Sequence, residues 1–157
     1  MSTNRIGIEE SKAQGLADQL NELLAHYQIF YMNVRGYHWN IKGDKFFELH
    51  TKFEELYTDL LLKVDEIAER ILTLGYRPIH AYSEYMNLSR IPERTNVTDG
   101  HQCVKEILDG LSVLIKLERD ILEASGEASD EGTNSLMSDY ITEQEKTAWM
   151  YSSFLGE

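Results

Sequence analysis

Two prolines, Pro78 and Pro92, are all that this chain contains, and their placement governs what it can fold into. Proline lacks a backbone N–H and collides with the preceding helical turn, so it ends helices or kinks them. On either side of the 78–92 stretch the backbone is free to run in long helices. Leu16, Leu20, Leu23, Tyr27, Phe30, Val34 and Tyr37 recur at three- and four-residue intervals, the period of one helical face, which predicts a helix over about 9 to 39. Gly43 interrupts that pattern, Asp44 offers a cap, and Gly75 followed by Pro78 offers a stop, so a second helix is expected over about 45 to 74. The segment between Gly75 and Pro92 has room for one short helix. Thr98 or Asp99 can cap a third long helix carrying Val104, Ile107, Leu111, Leu114, Leu117 and Ile121 and ending near Gly126; Asp130 can cap a fourth with Leu136, Tyr140 and Trp149. Four long helices with a short one in the second connection describe an all-α, ferritin-like four-helix bundle with a crossover. At 157 residues, 42% of them hydrophobic, the chain fits one domain over 1–157 and no second core.

Charge narrows the function. A formal net charge of −12 repels phosphate backbones and anionic membranes and attracts cations. The single cysteine, Cys103, has no internal disulfide partner, and the opening MSTNRIGIEESK lacks the apolar stretch of a signal peptide, so a cytoplasmic location is expected. No run approaches the roughly 20 apolar residues of a membrane-spanning helix.

The second helix holds the chemistry. On a wheel, Leu49, Phe53, Leu56, Leu60, Val64, Ile67, Ile71 and Leu74 form the core stripe. A second stripe carries His50, Glu54, Asp65 and Glu69 together with Phe47, Leu61, Ala68 and Leu72, a mixture too apolar for a plain solvated face, so a covering partner is expected. The remaining side, with Glu48, Lys52, Glu55, Asp59, Lys63, Glu66 and Arg70, is expected to face water. Like charges at i and i+4, as in Asp65 and Glu69, repel unless a cation lies between them. Imidazole and carboxylate donors suit iron, manganese or zinc. His38, at the end of the first helix, brings a second imidazole to His50 and Glu54. Yet His50 and Asp65 stand 15 residues apart, about 22 Å along a straight helix, and ligand bonds are about 2 Å long. One copy of this helix cannot place both halves on one ion. Two antiparallel copies related by a twofold axis between Tyr57 and Thr58 can, giving two equivalent sites per dimer.

The stretches HWNIKGDKFFELHTKFE at 38–54 and VDEIAERILTLGYRP at 64–78 closely resemble the signature segments of the Dps family of mini-ferritins, and the order of helices resembles that family across nearly the whole chain. The resemblance implies a hollow homo-oligomeric shell of twelve subunits that oxidises ferrous iron, preferentially with hydrogen peroxide, at twofold interfaces and stores the ferric product as mineral. It further implies that His38 and His50 ligate from one chain and Asp65 and Glu69 from the other, that Glu54 holds a second iron or its water, and that Trp39 takes up an oxidising equivalent. Acidic residues at the start of the last helix line entry pores in many members, and Asp130 and Glu131 occupy that place. DNA-binding members usually carry a lysine-rich arm; here Arg5 and Lys12 are offset by Glu9 and Glu10, and SSFLGE at the other end has no basic residue, so direct DNA binding is not expected.

Taken singly, each of these residues has a plainer reading. Glu54, Asp65 and Glu69 could be solvated carboxylates, His38 a core histidine bonded to backbone, and His50 a helix-surface residue. Their gathering on one partly apolar stripe shifts the balance to metal. His26, His80 and His101 join no such cluster and are read as structural or surface residues, Cys103 as core, and Trp149 as packing. Two other functions compete with this reading. A DNA-compacting assembly with incidental iron would require retardation of DNA in a gel shift. A di-iron site inside one subunit would require Glu-x-x-His pairs on two helices, and the chain has none.

Overall fold

The computed structural model describes residues 2–157. Five helices follow in order: α1 (Glu10–Asn40), α2 (Phe46–Thr73), α3 (Tyr82–Leu88), α4 (Gly100–Glu127) and α5 (Glu131–Phe154). Helix α1 packs on α2, α3 and α4, and α4 packs on α5, closing a four-helix bundle whose second connection carries α3. Gly43 and Gly75 take φ of +115° and +97°, left-handed values that let the chain leave the helix ends without a Cβ clash. Asp99 and Asp130 cap α4 and α5, their side chains accepting from the backbone N–H of Gln102 and Thr133. Asp44 does not cap α2: Lys45 stands at that position and makes no side-chain cap. The core stripe of α2 is buried as expected, with Val64 only half-buried.

The long connection is held onto α1 by three side chains that bond backbone groups. Asn21 donates to the Arg77 carbonyl at 3.1 Å and accepts from the Ile79 N–H at 2.8 Å. His26 directs Nδ1 to the Glu22 carbonyl at 2.7 Å and accepts the Arg90 N–H on Nε2 at 2.9 Å. Asn33 donates to Pro92 O and accepts from Arg94 N, both at 2.9 Å. Because loop backbone groups must be satisfied once they leave water, these clamps fix where α3 lies. Burial lowers the pKa of His26 below its ordinary 6.5, which keeps Nε2 free to accept.

The outer side of α2 departs from expectation. Lys63 is 4% exposed, bonding Asp59 at 2.7 Å and Glu143 of α5 at 2.9 Å. Glu66 accepts from the Tyr140 hydroxyl, and Arg70 pairs with Asp130 at 2.6 Å. Lys63 and Arg70 therefore join α2 to the last helix and its cap, because long side chains reach across a helix interface and bury their stems, while Glu48, Lys52, Glu55, Asp59 and Glu66 on the same side are exposed as expected. Trp149, expected to pack, is 65% exposed in the single chain.

Deep in the bundle, Glu118 is wholly buried between Tyr27 and Gln144. Tyr27 donates to Glu118 Oε2 at 2.5 Å, and the Gln144 amide nitrogen donates to the Tyr27 oxygen at 2.6 Å. The Gln144 amide oxygen then faces Glu118 Oε1, a contact of 2.6 Å that needs a proton. Turning the amide over would leave the single hydroxyl proton of Tyr27 facing two acceptors. A protonated Glu118 donating to Gln144 closes a ring in which every donor and acceptor is used, and burial raises its pKa to about 8. Folded Glu118 thus keeps a proton that the unfolded chain releases near 4.5. Its contribution to stability is whole below that value and is lost as pH rises through about 8. Glu118→Gln, which supplies the same donor and acceptor, is expected to match the parent near pH 4 and to exceed it at pH 7, with the gap levelling off above about pH 8 in chemical denaturation, whereas Glu118→Leu loses about 1–3 kcal/mol near pH 4.

Candidate metal centre at the α1–α2 junction

His38 and His50 meet where α1 ends and α2 begins. Their rings stack with centroids 3.8 Å apart and planes 11° from parallel. The hydrogen bonding is reciprocal: His38 Nδ1 lies 2.6 Å from the His50 carbonyl, and His50 Nδ1 lies 2.7 Å from the His38 carbonyl. A carbonyl only accepts, so each Nδ1 carries a proton and each neutral ring has its lone pair on Nε2. That is the arrangement a metal-binding imidazole needs, with the second nitrogen orienting the ring. Phe46 stacks on the outer face of His50 at 4.8 Å and 17°, while Tyr57 sets its ring against His38 at 5.3 Å and 72°. The two imidazoles are bracketed by aromatic walls. Glu54, one turn after His50, brings Oε1 to 3.6 Å from His38 Nε2.

These three residues, picked from the sequence as half a site, are therefore neighbours. Asp65 and Glu69 are not among them. Helix α2 is unbroken from Phe46 to Thr73, so helix rise still separates His50 from Asp65 by about 22 Å. Among the described residues, no three His, Cys, Asp or Glu side chains converge on a metal-holding point within one chain. Between the two halves the same stripe exposes large apolar groups, with Phe47 81%, Leu61 49% and Leu72 58% exposed, and Ala68 half-buried. Trp39 follows His38 and is also exposed.

The residues set aside stay outside this centre. His26 clamps the connection, His80 is exposed beside Pro78, and His101 lies against the Phe154 ring at 5.3 Å. Cys103 is buried, and its thiol is pushed up to about 12 by that burial and by Glu106, which leaves it unreactive. Asp130 does not stand free at the head of α5. It is 2% exposed, caps the helix and binds both Thr133 and Arg70, so of the two acidic residues proposed there only Glu131 is exposed. Sequence reading missed Arg35, whose guanidinium sits among Tyr31, Tyr57 and Trp39; its three-residue spacing from His38 was the available signal.

A family description of a ferritin-like domain matches residues 17–157. The DNA protection during starvation protein of Porphyromonas gingivalis is 40% identical over 148 residues, covering 94% of this chain and 93% of that one. DNA protection during starvation protein 2 of Bacillus anthracis is 36% identical, covering 88% and 94%. The crystal structure of a Dps protein from Vibrio cholerae O1 superposes with a TM-score of 0.97 at 57% identity, covering 99% of this chain and 98% of that one. That structure is described as one of a broad superfamily of ferritin-like diiron-carboxylate proteins. The fold and the sequence agree, and the chain belongs to the Dps family. No helix among the described residues is long and apolar enough to cross a membrane.

The buried Asp130–Arg70 pair carries its own consequence. Arg70→Met leaves Asp130 charged and enclosed, and is expected to cost about 3–5 kcal/mol of unfolding free energy in urea denaturation.

Proposed function

We propose that this protein is a ferroxidase and iron store whose dinuclear sites are shared between two subunits, His38, His50 and Glu54 coming from one chain and Asp65 and Glu69 from the other. Membership of the Dps family supports ferroxidase-type iron chemistry in general. The observation that carries the finer reading is the reciprocal His38–His50 stack, which leaves two Nε2 lone pairs and Glu54 as half a coordination shell on a face lined by uncovered Phe47, Leu61 and Leu72.

Iron enters this reading as substrate. Two ferrous ions each yield one electron to hydrogen peroxide, the O–O bond breaks, and two hydroxide equivalents form in place of a free hydroxyl radical. Two metals close together accept that stoichiometry in a single event. Asp65 and Glu69 supply the charge that offsets the cations, while the imidazoles hold position through their Nδ1 bonds. Ferric product then moves into the hollow of an assembly of about twelve copies, the number the family resemblance implies. Zinc and manganese satisfy the same donors and compete for them.

The relatives' names refer to DNA protection. With a net charge of −12, this chain is read as protecting through removal of iron and peroxide rather than by contact with phosphate. A DNA-compacting assembly is the alternative; retardation of DNA at low and moderate salt would favour it.

Complementation tests the sharing. His50→Ala and Asp65→Asn assemblies are each expected to lose stoichiometric ferrous oxidation. Co-assembled from an equal mixture, they recover about a quarter of the parent sites, since every mixed dimer regains one intact site of two. Stopped-flow absorbance after peroxide addition reads this directly. No recovery in mixed assemblies would mean that each site is built within one chain.

A further inference from the structure

Arg35 lies one turn before His38 on α1, and its environment is unusual for a half-buried cation. The guanidinium carbon is 5.0 Å from the Trp39 ring centre, 5.3 Å from that of Tyr57 and 5.8 Å from that of Tyr31. Nη1 donates to the Tyr31 hydroxyl at 2.7 Å. Nε is buried and has no acceptor. Within the single chain no carboxylate among the described residues lies within 4.0 Å of it. Three π faces therefore hold the charge without neutralising it, because a ring quadrupole attracts a cation but carries no net charge.

Within one chain this charge has no carboxylate partner, and the ring it covers adjoins the imidazole pair. The Tyr57 ring that Arg35 covers is the ring set against His38, 5.3 Å from centre to centre. Tyr31 in turn meets Tyr57 edge-on at 5.9 Å and 82°. The Tyr57 ring thus neighbours both a permanent positive charge and the imidazole pair.

Resting on the reading of this site as a ferroxidase centre, we infer that Arg35 is a positioning residue that limits how tightly the site holds its product. A fixed positive charge disfavours a bound cation in proportion to that cation's charge. Ferrous substrate carries two charges and ferric product three, so the same guanidinium penalises product more than substrate. The site loads from solution, is oxidised, and is biased to empty. The rings serve this role as well as a carboxylate would defeat it, since a paired carboxylate would cancel the charge.

The test uses the full assembled protein and two readouts. Redox-inert zinc, titrated calorimetrically, reports cation affinity without oxidation. Arg35→Met removes the charge at similar length and is expected to bind zinc at least about fivefold more tightly, and Arg35→Lys, which restores the charge, to bind as the parent does. In ferrous oxidation with peroxide, Arg35→Met completes a first stoichiometric round but regenerates free sites for a second addition about tenfold more slowly, again with Arg35→Lys near the parent. Arg35→Gln, which can still bond Tyr31, replaces Arg35→Met if that variant does not assemble. A purely structural role would move the lysine and the neutral variants together and weaken zinc binding. Equal or weaker zinc binding by the neutral variants, or unchanged regeneration, overturns the inference. His50→Ala separates the two levels: if it binds zinc and oxidises iron as the parent does, the site itself is misread; if it fails as expected while Arg35→Met behaves as the parent, only the role of Arg35 falls.

Discussion

A straight α-helix is a ruler, and α2 is unbroken over 28 residues. Its rise of about 1.5 Å per residue keeps His50 and Asp65 apart however the rest of the bundle packs. Side chains of a few ångströms cannot close that distance, so donors at the two ends of the stripe act on one ion only if a second copy supplies one of them. The exposed Phe47, Leu61 and Leu72 lie along the same stripe. In the proposed assembly, chemistry and association draw on one helical face, and covering the apolar groups is the same event as completing the donor set.

On the proposed function, the paired bonds around the junction hold the imidazoles in place before a second copy arrives. The two imidazoles fix each other through paired Nδ1–carbonyl bonds, and Phe46 and Tyr57 close the ends of the stack. Behind them, the interior spends its buried polar groups on order rather than chemistry. Glu118, Tyr27 and Gln144 close a hydrogen-bonded ring across three helices, and Tyr37 bonds the buried Glu106 at 2.7 Å. Asn21, His26 and Asn33 hold the long connection against α1. Satisfied polar networks of this kind specify one packing among many.

Much of this was legible in the sequence because it depends on local period and local breakers. Gly43, Gly75, Asp99 and Asp130 mark helix ends through conformational freedom or capping, effects that reach only a few residues. The core stripe of α2 and the mixed stripe beside it follow from helical geometry alone, and so does the separation of His50 from Asp65 along the helix. What escaped depends on residues distant in the chain. Lys63 and Arg70 look like solvated charges on a wheel, yet Glu143 and Asp130 of α5 receive them. Asn21, His26 and Asn33 bond backbone atoms, which leave no side-chain signature. The ring around Glu118 joins residues separated by 91 and 117 positions. Arg35 was hidden because an arginine on a helix is ordinarily a solvated group, and only the placement of Tyr57 on α2 gives it a ring shared with His38.

On the proposed function, a folded single chain holds no complete site. A variant with Leu61 and Leu72 both changed to Lys keeps all five donors while charging the face that a second copy would cover. Cobalt titration followed by visible absorbance, with sedimentation to confirm a folded monomer, measures the claim directly. The monomer is expected to show no saturable cobalt spectrum at concentrations where the parent assembly is loaded. A monomer that binds cobalt with the parent's affinity and spectrum would contradict it.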